Sequence, residues 1–480
     1  VSGSGFPSTE GVGRIGLAYA PSNPDIVYAM LDNQDHREKE ESESYAVTKD
    51  KLRAMTAKNF AKLSDEEIND FLDRENFPQE FNAVDLKKQV ADKEIEPKAL
   101  VEYLEDANSM LFDTPIKGAE MYRSEDGGTS WQKTHEGYIE NLVYTYGYYF
   151  GQVRVDAQNP DIVYTMGVPL IQSKDGGKTW SSISKENVHA DHHALWVNPE
   201  LPGHLVNGND GGINISYDDG NSWFKANTPS VGQFYSVSVD MAKPYNVYGG
   251  LQDNGVWYGS SRTEEDRSWH QSGAHPFKSI MGGDGMQVAI DQRDNKTVYT
   301  GFQFGNYFRL NTSTGERLYI TPKHELGERP LRWNWQSPIM LSHHNQDIVY
   351  FGSNRFHRSM DQGKTFEALS GDLTKGGKKG NVPYGTLTSI TESPKRFGLI
   401  YVGSDDGYIH RSDNGGYNWE RISDDLPQDL WVSRVYASHH HPDRVYASLN
   451  GYRYDHMDGY VYRSDDRGKT WTRIATNLPA

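Results

Sequence analysis

The chain has 480 residues, of which 47 are glycine, 30 tyrosine and 11 tryptophan, a turn-rich and aromatic composition with ample length for a large apolar core. It has no cysteine, which excludes disulfides, thiolate metal sites and a thiol nucleophile. A formal charge of −17 opposes approach to nucleic acid or an anionic membrane surface, and no apolar run approaches the ~18 residues of a spanning helix.

At the start of the chain, Val1 to Pro7 resembles the tails of Trp419-Glu-Arg-Ile-Ser-Asp-Asp-Leu-Pro427 and Trp471-Thr-Arg-Ile-Ala-Thr-Asn-Leu-Pro479. This predicts that Val1 lies in the last strand of a preceding unit and that the chain is part of a longer protein. A first complete strand follows at Arg14 to Ala20, and a second ends at Tyr28.

Residues 34–117 then interrupt the strand pattern, with 21 acidic against 13 basic side chains and a net charge of about −8. Here the pattern is helical. Ser64-Asp-Glu-Glu67 is a capping box ahead of Ile68, Phe71 and Leu72, and Pro97 opens a second apolar series at Leu100, Val101 and Leu104. The segment is predicted to be a helical decoration on the rim, with a lid or a surface for a protein partner as alternatives.

Outside this segment two motifs alternate. The octapeptide Ser-x-Asp-x-Gly-x-Thr-Trp stands in full at Ser173 to Trp180 and Ser464 to Trp471, with variants at Ser124 to Trp131, Ser216 to Trp223, Ser359 to Phe366 and Ser412 to Trp419. Its hydroxyl and carboxylate can bind the N–H groups of one tight turn while the glycine supplies positive φ, which is the chemistry of a β-hairpin tip. The second motif is an Asp-Ile-Val-Tyr strand ending at Tyr28, Tyr164, Tyr248, Tyr299, Tyr350, Tyr401 and Tyr446, with His204-Leu205-Val206 in the equivalent place of one unit. Between Tyr248, Tyr299, Tyr350 and Tyr401 the step is 51 residues, close to the ~40–50-residue period of a four-stranded propeller blade. Strand A alternates with period two, Tyr235, Val237 and Val239 on one face and Ser236, Ser238 and Asp240 on the other. The expectation is an all-β chain of eight four-stranded units, 1–33 with 118–480, carrying the acidic helical insertion 34–117 between strands B and C of the first. Two units, near Ser260 to Trp269 and Asn311 to Arg317, have lost the octapeptide and must turn by other residues.

The octapeptide resembles the Asp-box of the bacterial neuraminidase repeat, and the arrangement is similar to the sortilin and xyloglucanase group of Asp-box β-propellers, in particular to bacterial sortilin-like putative glycosyl hydrolases. His192-His-Ala-Leu-Trp-Val-Asn-Pro199, Gly208-Asn-Asp-Gly-Gly-Ile213, Gly249-Gly-Leu-Gln-Asp-Asn254 and Gly403-Ser-Asp-Asp-Gly407 carry the likeness. It implies a bacterial protein that is secreted, periplasmic or at the cell surface. It also implies tandem seven-bladed rings, so that eight units make one ring and part of a second, or else a single eight-bladed ring. The three substrate-gripping arginines and the Tyr–Glu pair of neuraminidases have no counterpart, nor do the catalytic-acid segments of xyloglucanases.

In a propeller, the start of strand A and the B–C loop open at the same end of each blade. Strand A starts carry His189, Asp191, His192, His193, Tyr235, Asp284, Trp335 and Trp431; B–C loops carry Asn209, Asp210, Gln252, Asp253, Asn254, Gln303, Asn354, Asp405, Asp406 and Asn450. Gathered by the fold, these would form an acidic, amide-rich and aromatic basin suited to sugar hydroxyls and rings. Asp210, Asp253, Asp284 and Asp406 are the candidate acid and base groups, since glycoside hydrolysis needs two carboxylates. The others are candidate ligand-binding residues. His189, Asp191 and His193, at i, i+2 and i+4 of an extended strand, could hold a divalent metal ion with Asp210 as a fourth ligand, the one cofactor the sequence offers. Two readings stand: a propeller that binds a glycan or peptide ligand on this end, or a glycoside hydrolase with a carboxylate pair there.

Overall fold

In the computed structural model of the chain, residues 5–37, 45–105, 115–226, 231–264, 266–267, 276–378 and 384–478 are described. Val1, and with it the expectation about its strand, lies outside them. Phe6 stacks on Tyr122 with ring centroids 4.5 Å apart and meets Trp131 edge-on.

Eight four-stranded antiparallel sheets follow one another along the chain, the expected eight blades. Blade 1 comprises Val12–Ala20, Asn23–His36, Ile116–Ser124 and Gln132–Lys133; blade 2, Val153–Val155, Val163–Met166, Leu170–Ser173 and Ser181–Ser182; blade 3, His192–Val197, Leu205–Asn209, Gly212–Ser216 and Phe224–Ala226. Blade 4 comprises Phe234–Val239, Asn246–Leu251, Gly255–Ser260 and Lys278–Met281; blade 5, Ala289–Ile290, Thr297–Phe302, Asn306–Asn311 and Arg317–Tyr319; blade 6, Ile339–Leu341, Val349–Gly352, Phe356–Ser359 and Glu367–Ala368. Blade 7 comprises Leu387–Glu392, Ile400–Ser404, Ile409–Ser412 and Glu420–Arg421; blade 8, Trp431–Ala437, Val445–Gly451, His456–Ser464 and Thr472–Arg473. In each, four strands are called A to D in chain order. The chain divides into two compact units, blades 1–3 in the first and blades 4–8 with the helical insertion in the second.

Burial grades across a blade. Strand B of blade 7 is buried at every residue, whereas its strand D is exposed at both. Within each unit the strand B tyrosine carries the packing: Tyr28, Tyr164, Tyr248, Tyr299, Tyr350 and Tyr401 are all fully buried. A ring of this size removes ~150–250 Å² from water, and four of the six hydroxyls find a partner while those of Tyr299 and Tyr401 have none among the described residues. Tyr28 Oη donates to Pro160 O of blade 2 at 2.8 Å, Tyr164 Oη to Asp219 of blade 3 at 2.8 Å and Tyr350 Oη to Glu392 of blade 7 at 2.9 Å. The residue before the octapeptide serine ties neighbours in the same direction. Arg358 donates to Gly415 O of blade 7 and Arg411 to Arg467 O of blade 8.

All six octapeptides make one turn. In blade 8 the Ser464 hydroxyl accepts from Gly468 N at 2.7 Å and donates to Asp466, whose carboxylate accepts from Thr470 N and Thr470 Oγ1. Gly468 has φ +85, and a Cβ there would lie 2.3 Å from Ile422 Cδ1 of blade 7, so both the turn and the close blade contact need glycine. In blades 3, 7 and 8 the motif tryptophan reaches the preceding blade, Trp223 Nε1 donating to Ile183 O, Trp419 Nε1 to Leu369 O and Trp471 Nε1 to Ile422 O, whereas Trp131 and Trp180 bond Gly128 O and Gly177 O of their own turns. Blade 5, which lacks the octapeptide, turns on Asn311, whose Oδ1 accepts from Ser313 N and Thr314 N.

Five α-helices form the insertion: α1 Lys49–Ala54, α2 Ala57–Phe60, α3 Asp65–Arg74, α4 Ala83–Ala91 and α5 Ala99–Leu104. The expected capping box is present, Ser64 and Glu67 exchanging bonds at the start of α3. Blade 1 strands B and C run a little further than the sequence implied, to His36 and from Ile116. The helices share a core of Leu52, Phe60, Phe71, Leu86 and Leu100, into which Leu326 also packs. Leu326 lies on the connection from strand D of blade 5 to strand A of blade 6, and His324 on the same connection bonds Glu102 O. Because strand D runs back toward the end where strand A begins, the helices dock at the strand A end of the second unit.

Candidate functional site

The two ends of each blade are distinguished by strand register. The octapeptide turn bonds back to the A–B turn of its own blade, as Gly176 N does to Asp161 O, Gln362 N to Asp347 O and Arg467 N to Asp443 O. At the opposite end the start of strand A pairs with the end of strand B: Phe234 with Leu251, Leu387 with Ser404, Trp431 with Asn450. The octapeptide carboxylates therefore serve their turns. That of Asp126 is held down to about 2 by the Ser130 N–H and then by the Ser130 and Ser124 hydroxyls.

In the second unit, strand A starts and B–C loops of blades 4–7 are joined by hydrogen bonds. Asp284 Oδ1 accepts from Tyr235 Oη at 3.3 Å and from Asp253 N at 3.1 Å, while Asp284 N donates to Gln303 Oε1 at 3.2 Å. Trp335 Nε1 donates to Tyr235 Oη at 3.2 Å, its ring meets Phe304 edge-on at 5.1 Å, and the side chain stays 39% exposed. Asn334 donates to Thr386 Oγ1, which donates to Asp405 Oδ2 at 2.7 Å; Asp405 Oδ1 also accepts from Gly385 N and Thr386 N. Arg332 N bonds Asn354 Oδ1, and its guanidinium bonds Gly385 O, Asp372 and Thr374.

These carboxyls are frame members. Asp284 is 9% exposed, Asp405 1% and Asp406 3%. Burial raises the Asp284 carboxyl above the usual range, with the Asp253 charge adding to it, and burial pushes Asp405 up to about 6. Asp406 accepts from Ser404 Oγ and from Lys375 N. Asp253, Gln252 and Asn254 are half-buried in the B–C turn of blade 4, where Asn254 N and Nδ2 donate to Gln252 O.

In the first unit, blade 3 brings its candidates together differently from the expected three-ligand strand. Strand A begins at His192, because Asp191 takes φ +62 and breaks the extended run. His192 is buried between Asn207 Oδ1 at 2.9 Å and Ser184 Oγ at 3.2 Å, and burial lowers it to about 4, so it is a neutral strut. His193 stacks on Phe150 and places Nε2 3.1 Å from Asp210 Oδ1. Asn209 donates to Asn207 and Asn214 and caps Gly211 N. His189 Nδ1 lies 3.0 Å from Ala190 O. Among the described residues no three His, Asp or Glu side chains are grouped to hold a metal ion, which corrects the expectation for His189, Asp191 and His193.

Sequence reasoning missed two features. At blade 8 the guanidinium carbon of Arg453 lies 4.1 Å from the Trp431 ring centroid and 4.6 Å from that of Tyr452. In blade 6, a cavity of ≈ 540 Å³ is lined by Lys323, His324, Glu328, Arg355 and Lys364 beside the helical insertion. Among the described residues no helix is long and apolar enough to cross a membrane.

The BNR/Asp-box repeat family matches residues 462–473, the octapeptide turn of blade 8. A xyloglucanase of Paenibacillus sp is 24% identical over 250 residues, a match covering 50% of this chain and 22% of that protein, so the chain spans about a fifth of the relative's length. Among solved structures, the GH74 enzyme of Niastella koreensis is similar at 12% identity over 96% of this chain and 71% of that one, with a TM-score of 0.25. The GH74 xyloglucanase of Xanthomonas campestris is similar at 12% identity over 95% and 72%, with a TM-score of 0.24.

Proposed function

We propose that the protein is an extracytoplasmic Asp-box propeller that binds a glycan at the strand A end of its blades. The observation that carries this reading is the hydrogen-bonded chain from Tyr235 and Asp284 through Trp335 and Asn334 to Thr386 and Asp405. It spends its carboxylates on N–H and O–H donors of the frame and leaves an exposed indole, Trp335, held at a fixed angle. A rigid aromatic face among amides is the chemistry that stacks a sugar ring and bonds its hydroxyls. The partial likeness to a xyloglucanase supports a glycan over a peptide as the ligand class.

Hydrolysis is the second reading, favoured by one pair. Asp284, raised by burial, is the candidate proton donor, and the half-buried Asp253 beside it the candidate base. The test is a panel of soluble polysaccharides, scored both for retardation of the protein in affinity gels and for release of reducing ends. Retardation without release is the expected result. Release that disappears in Asp284→Asn would install the hydrolase reading, and no retardation or release on any glycan would overturn both.

A further inference from the structure

The B–C loop of blade 8 is one 3-10 turn, Tyr452–Tyr454, lying beside the strand A start at Trp431. Its two tyrosines are exposed, at 53% and 48%. Between them Arg453 sits over both Trp431 and Tyr452, and no hydrogen bond or ion pair engages it among the described residues. The Tyr454 hydroxyl is raised in pKa first by burial and then by that of Tyr384, close by and just ahead of strand A of blade 7, and the Lys378 ammonium lies 5.9 Å over the Tyr384 ring. Neighbouring Lys375 is already paired with Asp429 at 2.8 Å. Asn450, paired across to Trp431, keeps its Oδ1 without a partner.

This cluster stands out against its own chain. With 66 acidic and 49 basic side chains, a surface cation here usually has a carboxylate within reach, as Arg444 and Arg421 do. Arg453 instead rests on aromatic faces, and Lys378 lies over the Tyr384 ring while Asp429, which it helps Lys375 to hold ionised, is already taken by Lys375. A guanidinium held against two rings loses little further freedom when it grips an anion, and aromatic rings also offer faces to the C–H side of a sugar.

We propose that blades 7 and 8 carry a subsite for an anionic sugar residue, a hexuronate or a sulfated sugar, whose acid group is held by Arg453 and Lys378 while its ring stacks on Tyr452 and Tyr454. The proposal rests on the glycan-binding reading and narrows it to acidic polysaccharides.

The test uses the whole chain in affinity gels and titration calorimetry against polygalacturonate, its fully methyl-esterified form, dextran sulfate and neutral xyloglucan. Polygalacturonate is expected to bind about 10-fold more tightly than its neutral ester, as loss of a charge-assisted contact implies, and to weaken with added salt. Arg453→Gln should abolish that preference, and Lys378→Gln, an exposed change, should reduce it by about 3-fold. Binding of dextran sulfate alone would support the subsite with sulfate as the group read. Equal binding of polygalacturonate and its ester, or a preference that survives in both variants, would overturn the subsite. Binding of xyloglucan with neither acidic polymer would overturn it and leave the glycan reading standing, whereas no binding to any of the four would remove both.

Discussion

The two ends of each blade are built on opposite rules. At the octapeptide end the same bonds recur from blade to blade: a serine hydroxyl on a glycine N–H, an Asp carboxylate or in blade 7 the Asn414 amide oxygen on the turn, and in blades 3, 7 and 8 an indole N–H on the preceding blade's backbone. At the strand A end the side chains change from blade to blade far more than the octapeptide does, yet the polar groups of blades 4–7 are linked to one another. Repetition marks what every blade needs in order to pack. Variation within a fixed framework is what the proposed glycan-binding function assigns to recognition.

The largest effects should come from breaking the repeated end. Trp223 is buried and its Nε1 holds Ile183 O at 2.8 Å. Trp223→Ala should cost about 3–5 kcal/mol in chemical denaturation through the cavity and the lost bond.

Acid should separate the two ends by pH. His192, at the strand A end, is lowered by burial to about 4 in the folded chain, against ~6.5 when unfolded. Between these values the unfolded chain takes up the proton, so the stability this residue contributes is complete above pH ~6.5 and declines toward pH ~4, by about 3 kcal/mol in all. His410 at about 4 and His357 at about 3, both lowered by burial, should act in the same window. The octapeptide end should respond later. Asp126, with its folded value near 2, contributes stability that is present above its unfolded value near 3.8 and lost as pH falls through about 2. Asp405 at the strand A end, pushed up to about 6 by burial, works in the opposite sense to the histidines, gaining stability as pH falls through their window, and offsets part of what the three lose. Denaturation midpoints measured from pH 8 to 2 should still show both steps; a single step below pH 4 would remove the histidine contribution.

Ser464→Ala tests the turn alone. It leaves Gly468 N, now bonded at 2.7 Å, without a partner, which should cost about 1–2 kcal/mol in the same assay with no change in glycan affinity.

Much of this was legible in the sequence, for a physical reason. Turns that demand positive φ and strands that bury a tyrosine in six of the eight blades leave residues at fixed spacing, so the eight blades, the Asn311 turn and the capping box at Ser64 could all be read. Some neighbours at the strand A end were also readable, because strand A starts and B–C loops about 19 residues apart are neighbours by register, as Asp284 and Gln303 prove to be. The links between blades were not readable. Trp335 and Tyr235 are 100 residues apart, and no local pattern joins them. The metal expectation failed on one backbone angle, the positive φ of Asp191. One signal was present and went unused: an arginine stands just before the octapeptide serine at Arg123, Arg358, Arg411 and Arg463, and the first three bond the next blade.

Glycan affinity of Trp335→Ala, measured beside its melting temperature, tests most directly whether recognition and stability occupy opposite ends. The indole is partly exposed and loses one bond to Tyr235. The account predicts an affinity about 10-fold weaker, as for a lost stacking face, with stability changed by less than about 1 kcal/mol. Unchanged affinity in a variant that melts several degrees lower would contradict it, by placing Trp335 with the packing and not with the ligand.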